Sequence, residues 1–331
     1  MKKFIVLLVC VAVVLMGDTV LDKSGTQSSF DTKKAYEQGM AFYNNKEYDK
    51  AFESFKKACD GGNMRGCFNL GIMYEEGNGA EKDFSKAAEL FKKACDGGNM
   101  NGCYNLGLIY ANGNGVEKDF SKAVELFKKA CDGRNMRGCA NLGFMYAKGN
   151  GVEKDLGKAA QLYKKACDGG NMLGCTNLGS MYANGDGVEK DLGKAAQLFI
   201  KACDGGEVRG CVTLGVMYAK GNGVEKNEQK AVELYKKACD GGNMLGCGTL
   251  GAMYADGKVV QKDFGKAAQL FKKACDGGEM RGCVTLGVMY ADGDGVEKDL
   301  GKAAQLYKKA CDGGEMLGCR NLDIIYKLMA K

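Results

Sequence analysis

The residues in this chain with the most reactive chemistry are cysteines. Seventeen occur, and sixteen form eight pairs spaced i, i+8: Cys59 with Cys67, Cys95 with Cys103, Cys131 with Cys139, Cys167 with Cys175, Cys203 with Cys211, Cys239 with Cys247, Cys275 with Cys283 and Cys311 with Cys319. So regular a set could ligate metal or form disulfides. The chain has no histidine, and i, i+8 is not a zinc-ligand spacing. No metal and no cofactor is therefore expected. Disulfides are the expected use if the protein leaves the cytosol, because thiols stay oxidised only in such compartments.

The N-terminus points to export. Lys2 and Lys3 precede an apolar run, residues 4–16, followed by Gly17 and Asp18. A basic head, a short apolar stretch and a small residue have the form of a secretory signal peptide. The reading is a signal peptide over 1–17, cut after Gly17, and a polar, flexible leader over 18–27. The apolar run is too short to span a bilayer, and no other stretch could. Cleavage removes Cys10 and leaves the sixteen paired cysteines. The expected location is secreted or periplasmic. Losing the two lysines lowers the formal net charge of +6 to +4. That is mild, and no pattern of interleaved basic and aromatic residues suggests nucleic acid.

Catalytic combinations are scarce. Without histidine a Ser-His-Asp or Cys-His site cannot be built. A serine β-lactamase needs S-x-x-K with S-D-N and K-T-G. One S-x-x-K exists, at Ser54–Lys57, where other copies of the repeat described next read Leu-Phe-Lys-Lys, and the other two motifs are absent. The match is read as drift of a repeated position. Loops such as Asp292-Gly293-Asp294-Gly295 resemble calcium ligands but carry Val296 where a third oxygen is needed, so they are read as turns.

The elements that position these residues repeat. A 36-residue unit recurs seven times over residues 63–314, and a period of this size means stacked supersecondary units. In the copy beginning at Asn99, Met100, Cys103, Leu106, Gly107 and Tyr110 follow helical spacing. The turn Gly113-Asn114-Gly115 ends this first helix, and Asp119 is a good N-cap for the second. The second helix buries Phe120, Ala123, Val124, Phe127 and Ala130. Residues 28–62 read as an atypical first repeat, its turn four residues shorter, and 315–331 as a C-terminal capping helix. The whole of 28–331 is thus one array of 17 helices, uninterrupted by proline. Gly257-Lys258-Val259-Val260 loses the second turn glycine, so that turn should differ. Asp323 replaces the glycine found at 71, 107, 143, 179, 215, 251 and 287. That glycine is read as letting the second helix of the same repeat approach closely.

The repeat also suggests which cysteines join. The first of each pair falls on the last turn of one helix and the second on the first turns of the next. An Asp-Gly-Gly turn between them makes the helices antiparallel, which brings the sulfurs within reach. Each bridge should tie the second helix of one repeat to the first helix of the next.

The pattern N-L-G-x-M-Y-A-x-G-x-G-V-x-K-D-x-x-K-A-x-x-L-(F/Y)-x-K-A-C-D-G-G resembles the Sel-one-like repeat, a relative of the tetratricopeptide repeat. With the C-x7-C pairs and the signal peptide, the chain resembles the Helicobacter cysteine-rich protein family over about 32–331. The resemblance implies a right-handed, all-α, α/α solenoid with a concave groove, disulfides within each C-x7-C, and export. Members of that family are described as penicillin-binding proteins with slow β-lactamase activity, and as secreted factors seen by the host. It therefore implies a weak β-lactam hydrolase as the alternative activity, with β-lactam or peptidoglycan-like small molecules as ligands. It transfers no catalytic residues.

Variation among the copies carries a second signal. Positions 65, 68, 72 and 76 vary and share one helix face. Position 69 and its equivalents hold only Asn69, Asn105, Asn141, Asn177 and Asn321, then Thr213, Thr249 and Thr285. Position 65 holds Arg65, Arg137, Arg209 and Arg281, alternating with Asn101, Leu173, Leu245 and Leu317. In a solenoid of this type the first helices line the concave side. An amide ladder there suits the backbone of an extended peptide, and the arginines suit carboxylates. Related repeats clamp peptides with asparagines at this point of the helix. The expected function is a monomeric, secreted scaffold that binds a protein or extended peptide. Asn69, Asn105, Asn141 and Asn177 would hold the backbone, and Arg65, Arg137, Arg209 and Arg281 the carboxylates.

Overall fold

The computed structural model describes residues 31–329. The expected signal peptide and leader lie outside them. The described chain is helical, and its Cα packing falls into two compact units, one ending at Asp155 and one beginning at Leu156. The first holds α1 (31–44), α2 (Tyr48–Asp60), α3 (Met64–Glu76), α4 (Phe84–Asp96), α5 (Met100–Asn112), α6 (Phe120–Asp132) and α7 (Met136–Lys148). The second holds α8 (Leu156–Asp168), α9 (Met172–Asn184), α10 (Leu192–Asp204), α11 (Val208–Lys220), α12 (Glu228–Asp240), α13 (Met244–Asp256), α14 (Phe264–Asp276), α15 (Met280–Asp292), α16 (Leu300–Asp312) and α17 (Met316–Met329). Odd-numbered helices are the first of each repeat and even-numbered ones the second. Among the described residues no helix is long and apolar enough to cross a membrane.

Each helix starts and stops for a local reason. Asn63 caps α3 by accepting from the backbone N–H of Arg65 and Gly66, at 3.1 and 3.0 Å. Asp83 caps α4 in the same way through Ser85 and Lys86. Such caps satisfy donors that have no partner within the helix. Gly77 ends α3 in the left-handed conformation, φ 79°, which glycine takes without steric cost.

The core runs between paired helices. Ala51, Phe55, Cys59, Cys67, Leu70 and Met73 form one buried cluster in the first unit. Cys203, Cys211, Val212, Ala231 and Tyr235 begin its counterpart in the second. The glycine at 71 does what its position implies. A Cβ there would lie 2.7 Å from the Phe91 ring on α4, and at Gly287 2.6 Å from Tyr307 on α16. Asp323, at the equivalent position of α17, stands exposed. The irregular turn also differs as anticipated. Val259 does not take the left-handed conformation of the glycines it replaces. Val259 and Val260 instead pack against the core of the second unit.

All eight C-x7-C pairs are bridged. In the first unit Cys59 joins Cys67, Cys95 joins Cys103, and Cys131 joins Cys139. In the second Cys167 joins Cys175, Cys203 joins Cys211, Cys239 joins Cys247, Cys275 joins Cys283, and Cys311 joins Cys319. The Cα separations run from 4.4 Å, between Cys59 and Cys67, to 4.6 Å, between Cys311 and Cys319. Each bridge ties an even-numbered helix to the next odd-numbered one, as the spacing implies. The second cysteine of the pair is fully enclosed at Cys139, Cys175, Cys247 and Cys283. So close an approach needs a small neighbour. A Cβ on Gly66 would meet Ala58 Cβ at 2.7 Å and Cys59 N at 3.1 Å.

Candidate peptide-binding face

The face in question follows from how α3 is held. Cys67, Leu70 and Met73 point into the core, so Arg65, Phe68, Asn69 and Ile72 turn outward, at 3.6 residues per turn. Arg65 is exposed and Asn69 and Ile72 are half-buried. The same holds for Asn105 on α5, Asn141 on α7 and Asn177 on α9, all half-buried. Arg137, Arg209 and Arg281 are exposed like Arg65.

The two units use the amide position differently. In the first, Asn69, Asn105 and Asn141 each follow a phenylalanine fourteen residues earlier: Phe55, Phe91 and Phe127. A phenyl ring offers no hydrogen bond to the amide. Asn69 Nδ2 makes only a weak contact with Met40 Sδ, at 3.1 Å. In the second unit the corresponding ring is often tyrosine. Asn177 stands beside the Tyr163 hydroxyl and Asn321 beside that of Tyr307. Burial pushes the Tyr163 hydroxyl up to about 12, and the nearby Asn177 amide opposes that rise. Thr213, Thr249 and Thr285 spend their hydroxyls on carbonyls one turn back: Arg209 O at 3.1 Å, Leu245 O at 2.8 Å and Arg281 O at 3.0 Å. Amides with bonding capacity to spare are thus concentrated in the first unit.

The arginines differ too. The guanidinium groups of Arg65 and Arg137 have no ion-pair partner among the described residues. Arg281 Nε lies 3.5 Å from Glu315 Oε2. Asn101, which takes the arginine position on α5, accepts from Asn135 Nδ2 at 2.8 Å. In the second unit the alternating leucines, Leu173, Leu245 and Leu317, are exposed.

Two cavities open on this face in the first unit. A cleft of about 560 Å³ is lined by Tyr36, Arg65, Phe68, Asn69 and Asn101 among others. A smaller hole of about 120 Å³ is lined by Met40, Tyr43, Phe55, Asn69 and Ile72. Asn69 borders both. The sequence reading missed this pair. Its trace is the spacing Tyr36, Met40, Tyr43 on α1, which matches Arg65, Asn69, Ile72 on α3.

Ser54 sits on α2, and its Oγ donates to Lys50 O at 2.8 Å, one turn earlier on the same helix. That is an ordinary back-bond for serine inside a helix. Among the described residues no group of three or more His, Cys, Asp or Glu side chains is placed to hold a metal.

Comparison with known proteins decides the family. The Sel1 repeat model matches eight times: residues 34–63, 65–99, 101–135, 137–171, 173–207, 209–243, 245–279 and 282–315. The chain belongs to the Sel1 repeat family. Its fold is an all-α solenoid of Sel1 repeats, a scaffold type suited to protein interaction. A protective antigen of uropathogenic Escherichia coli, c5321, is similar in structure, with TM-score 0.71 and 29% identity. That match covers 92% of this chain and 67% of the antigen. A Sel1 repeat protein from Oxalobacter formigenes gives TM-score 0.66 and 27% identity, over 72% of this chain and 96% of that one. HcpC of Helicobacter pylori, which bears the provisional name of a β-lactamase, is 40% identical over 58 residues, 18% of this chain. The matched segment spans 20% of HcpC's own length.

Proposed function

We propose that this Sel1 repeat protein is exported and binds an extended peptide segment of a partner protein along its first-helix face. The observation that carries the reading is the restricted amide position. Asn69, Asn105 and Asn141 are half-buried, recur once per repeat, and face no ring hydroxyl. An amide both donates and accepts, so a row of them suits a peptide backbone. Arg65 and Arg137 add unpaired cations suited to carboxylates. The eight bridges fit an oxidising compartment outside the cytosol.

The test is binding of a random peptide library to the oxidised protein, followed by the double variant Asn105→Ala/Asn141→Ala. Each lost hydrogen bond removes roughly 0.5–1.5 kcal/mol, so affinity should fall several-fold. Unchanged affinity for every captured peptide would remove this face as the site. Slow β-lactam hydrolysis is the second reading, favoured by the name of HcpC. Intact-mass measurement after incubation with a penicillin tests it. An acyl adduct on Ser54, lost together with turnover in Ser54→Ala, would establish it over the scaffold reading.

A further inference from the structure

Two cavities meet at Asn69 to form a groove along α3, polar at one end, where Tyr36 of α1 and Gly97–Asn101 complete the wall, and apolar at the other. At the polar end Arg65 is exposed, has no anionic partner among the described residues, and stands beside the Tyr36 and Phe68 rings in the larger cleft. At the apolar end Met40, Tyr43, Phe55 and Ile72 enclose the small hole. We infer that this groove selects a peptide carrying an acidic residue and an aliphatic residue three positions apart. The inference rests on the peptide-binding reading above and adds the register and the side-chain classes.

The register follows from helix geometry. Arg65 and Ile72 are seven residues apart on α3, which at about 1.5 Å per residue is about 10 Å along the axis. An extended polyproline-II segment rises about 3.1 Å per residue with three residues per turn. Its side chains at i and i+3 therefore lie on one side, about 9 Å apart. A β-strand puts same-side residues at about 6.6 or 13 Å, which fits the two ends less well. Asn69 lies between the ends and is placed to bond the intervening backbone.

The side-chain classes follow from charge and volume. An unpaired guanidinium in a polar cleft selects a carboxylate. The hole, at about 120 Å³, is smaller than the roughly 150 Å³ cavity known to admit benzene. It suits a leucine-sized aliphatic group better than the bulkier side chain of phenylalanine. The groove differs from the corresponding faces of later repeats. There Ala140 and Thr176 replace the aromatic side chain of Phe68 and Tyr104.

The probes are labelled, N-acetylated and C-amidated eight-residue peptides with Asp and Leu at separations of two, three or four, in both orders. They are titrated against the full oxidised protein. The i, i+3 peptides should bind best, and Asp→Asn in the peptide should weaken them roughly tenfold. Arg65→Gln should erase the preference for Asp over Asn, while Arg209→Gln in the second unit leaves it intact. Met40→Ala enlarges the hole and should shift the preference from Leu to Phe. Melting curves confirm that each variant is folded. The inference is overturned if peptides bind without regard to register, if the Asp preference survives Arg65→Gln, or if no panel peptide binds. The wider reading fails separately, if a random library also yields no ligand.

Discussion

Lys93 Nζ reaches back 34 residues to donate to the carbonyl oxygen of Cys59, at 3.2 Å. The acceptor lies in the last turn of α2, where it already accepts from Gly62 N at 3.0 Å; the lysine takes its second lone pair, at the negative end of the helix dipole. The same bond recurs in the second unit, from Lys201 to Cys167 O at 3.1 Å and from Lys273 to Cys239 O at 2.9 Å. It is a latch between successive even-numbered helices, placed at the disulfide. Lys201→Met keeps the aliphatic stem and removes the donor. We expect a loss of about 1 kcal/mol, the size of one net hydrogen bond at a part-buried site. An unchanged denaturation midpoint would show that the latch carries no stability.

The disulfides should all be local. Peptide mapping without reductant should find the eight C-x7-C links seen in the structure. Each closes a short loop, and restriction of the unfolded chain gives roughly 2.5 kcal/mol apiece. Reduction should therefore lower the melting temperature steeply. A dominant link between different C-x7-C units, such as Cys139 with Cys175, would refute the pairing.

Acid should loosen the second helices. Asp83, Asp119, Asp191, Asp263 and Asp299 are all held below the usual carboxylate range, chiefly by the backbone N–H of the lysine three residues on. A depressed native value means stability that is present above the unfolded value, about 3.9, and lost as pH falls through the native one. Asn227 caps α12 through Lys230 N at 2.9 Å with a side chain that does not titrate. Asp263→Asn copies that cap. It should narrow the gap in melting temperature between pH 5 and pH 3. A gap as wide as in the unmodified protein would place the acid sensitivity elsewhere.

The period, the bridges and the close-packing glycines were legible because each rests on a spacing repeated many times. Gly71 could be read from its recurrence at the same position in seven copies. The lysine latch was not legible. It joins residues 34 apart, and lysines on exposed helix faces look alike in sequence. The tyrosine neighbours of Asn177 and Asn321 were hidden for a similar reason. Phe and Tyr alternate freely at 127, 163, 199 and 235 as core residues, and only packing shows that the hydroxyl meets the amide. The cavities beside Asn69 depend on the atypical first repeat, the larger on Tyr36 and the smaller on Met40 and Tyr43, which the 36-residue pattern does not describe.

Arg134 is a natural strain site. It takes φ 66° where the equivalent positions are glycine, as at Gly98, φ 87°. A Cβ at Gly98 meets nothing within 4 Å, so the penalty is backbone strain alone. The left-handed conformation costs a non-glycine residue roughly 1–2 kcal/mol, and glycine's extra unfolded-state entropy returns part of this. Arg134→Gly should stabilise the protein by about 0.5–1 kcal/mol, read from denaturant midpoints. A destabilised variant would mean that the arginine side chain makes a compensating contact.

The amide row should divide into residues kept for binding and residues kept for structure. Asn105 and Asn141 face phenylalanines, so Asn→Ala there leaves no buried polar group unpaired, and the melt should be unchanged. Asn177 stands beside the hydroxyl of Tyr163, a buried residue. Asn177→Ala strips that hydroxyl of its partner, and an unsatisfied buried group costs roughly 1–3 kcal/mol. The melt should fall, and Tyr163→Phe in the same chain should restore most of it, because both partners are then gone. Its hydroxyl should also titrate still higher once the opposing amide is removed. Peptide affinity should show the reverse order, with the loss larger at Asn105 and Asn141 than at Asn177. Equal melting losses at all three positions would mean that the amides share one structural role. The binding reading would then have to rest on the arginines alone.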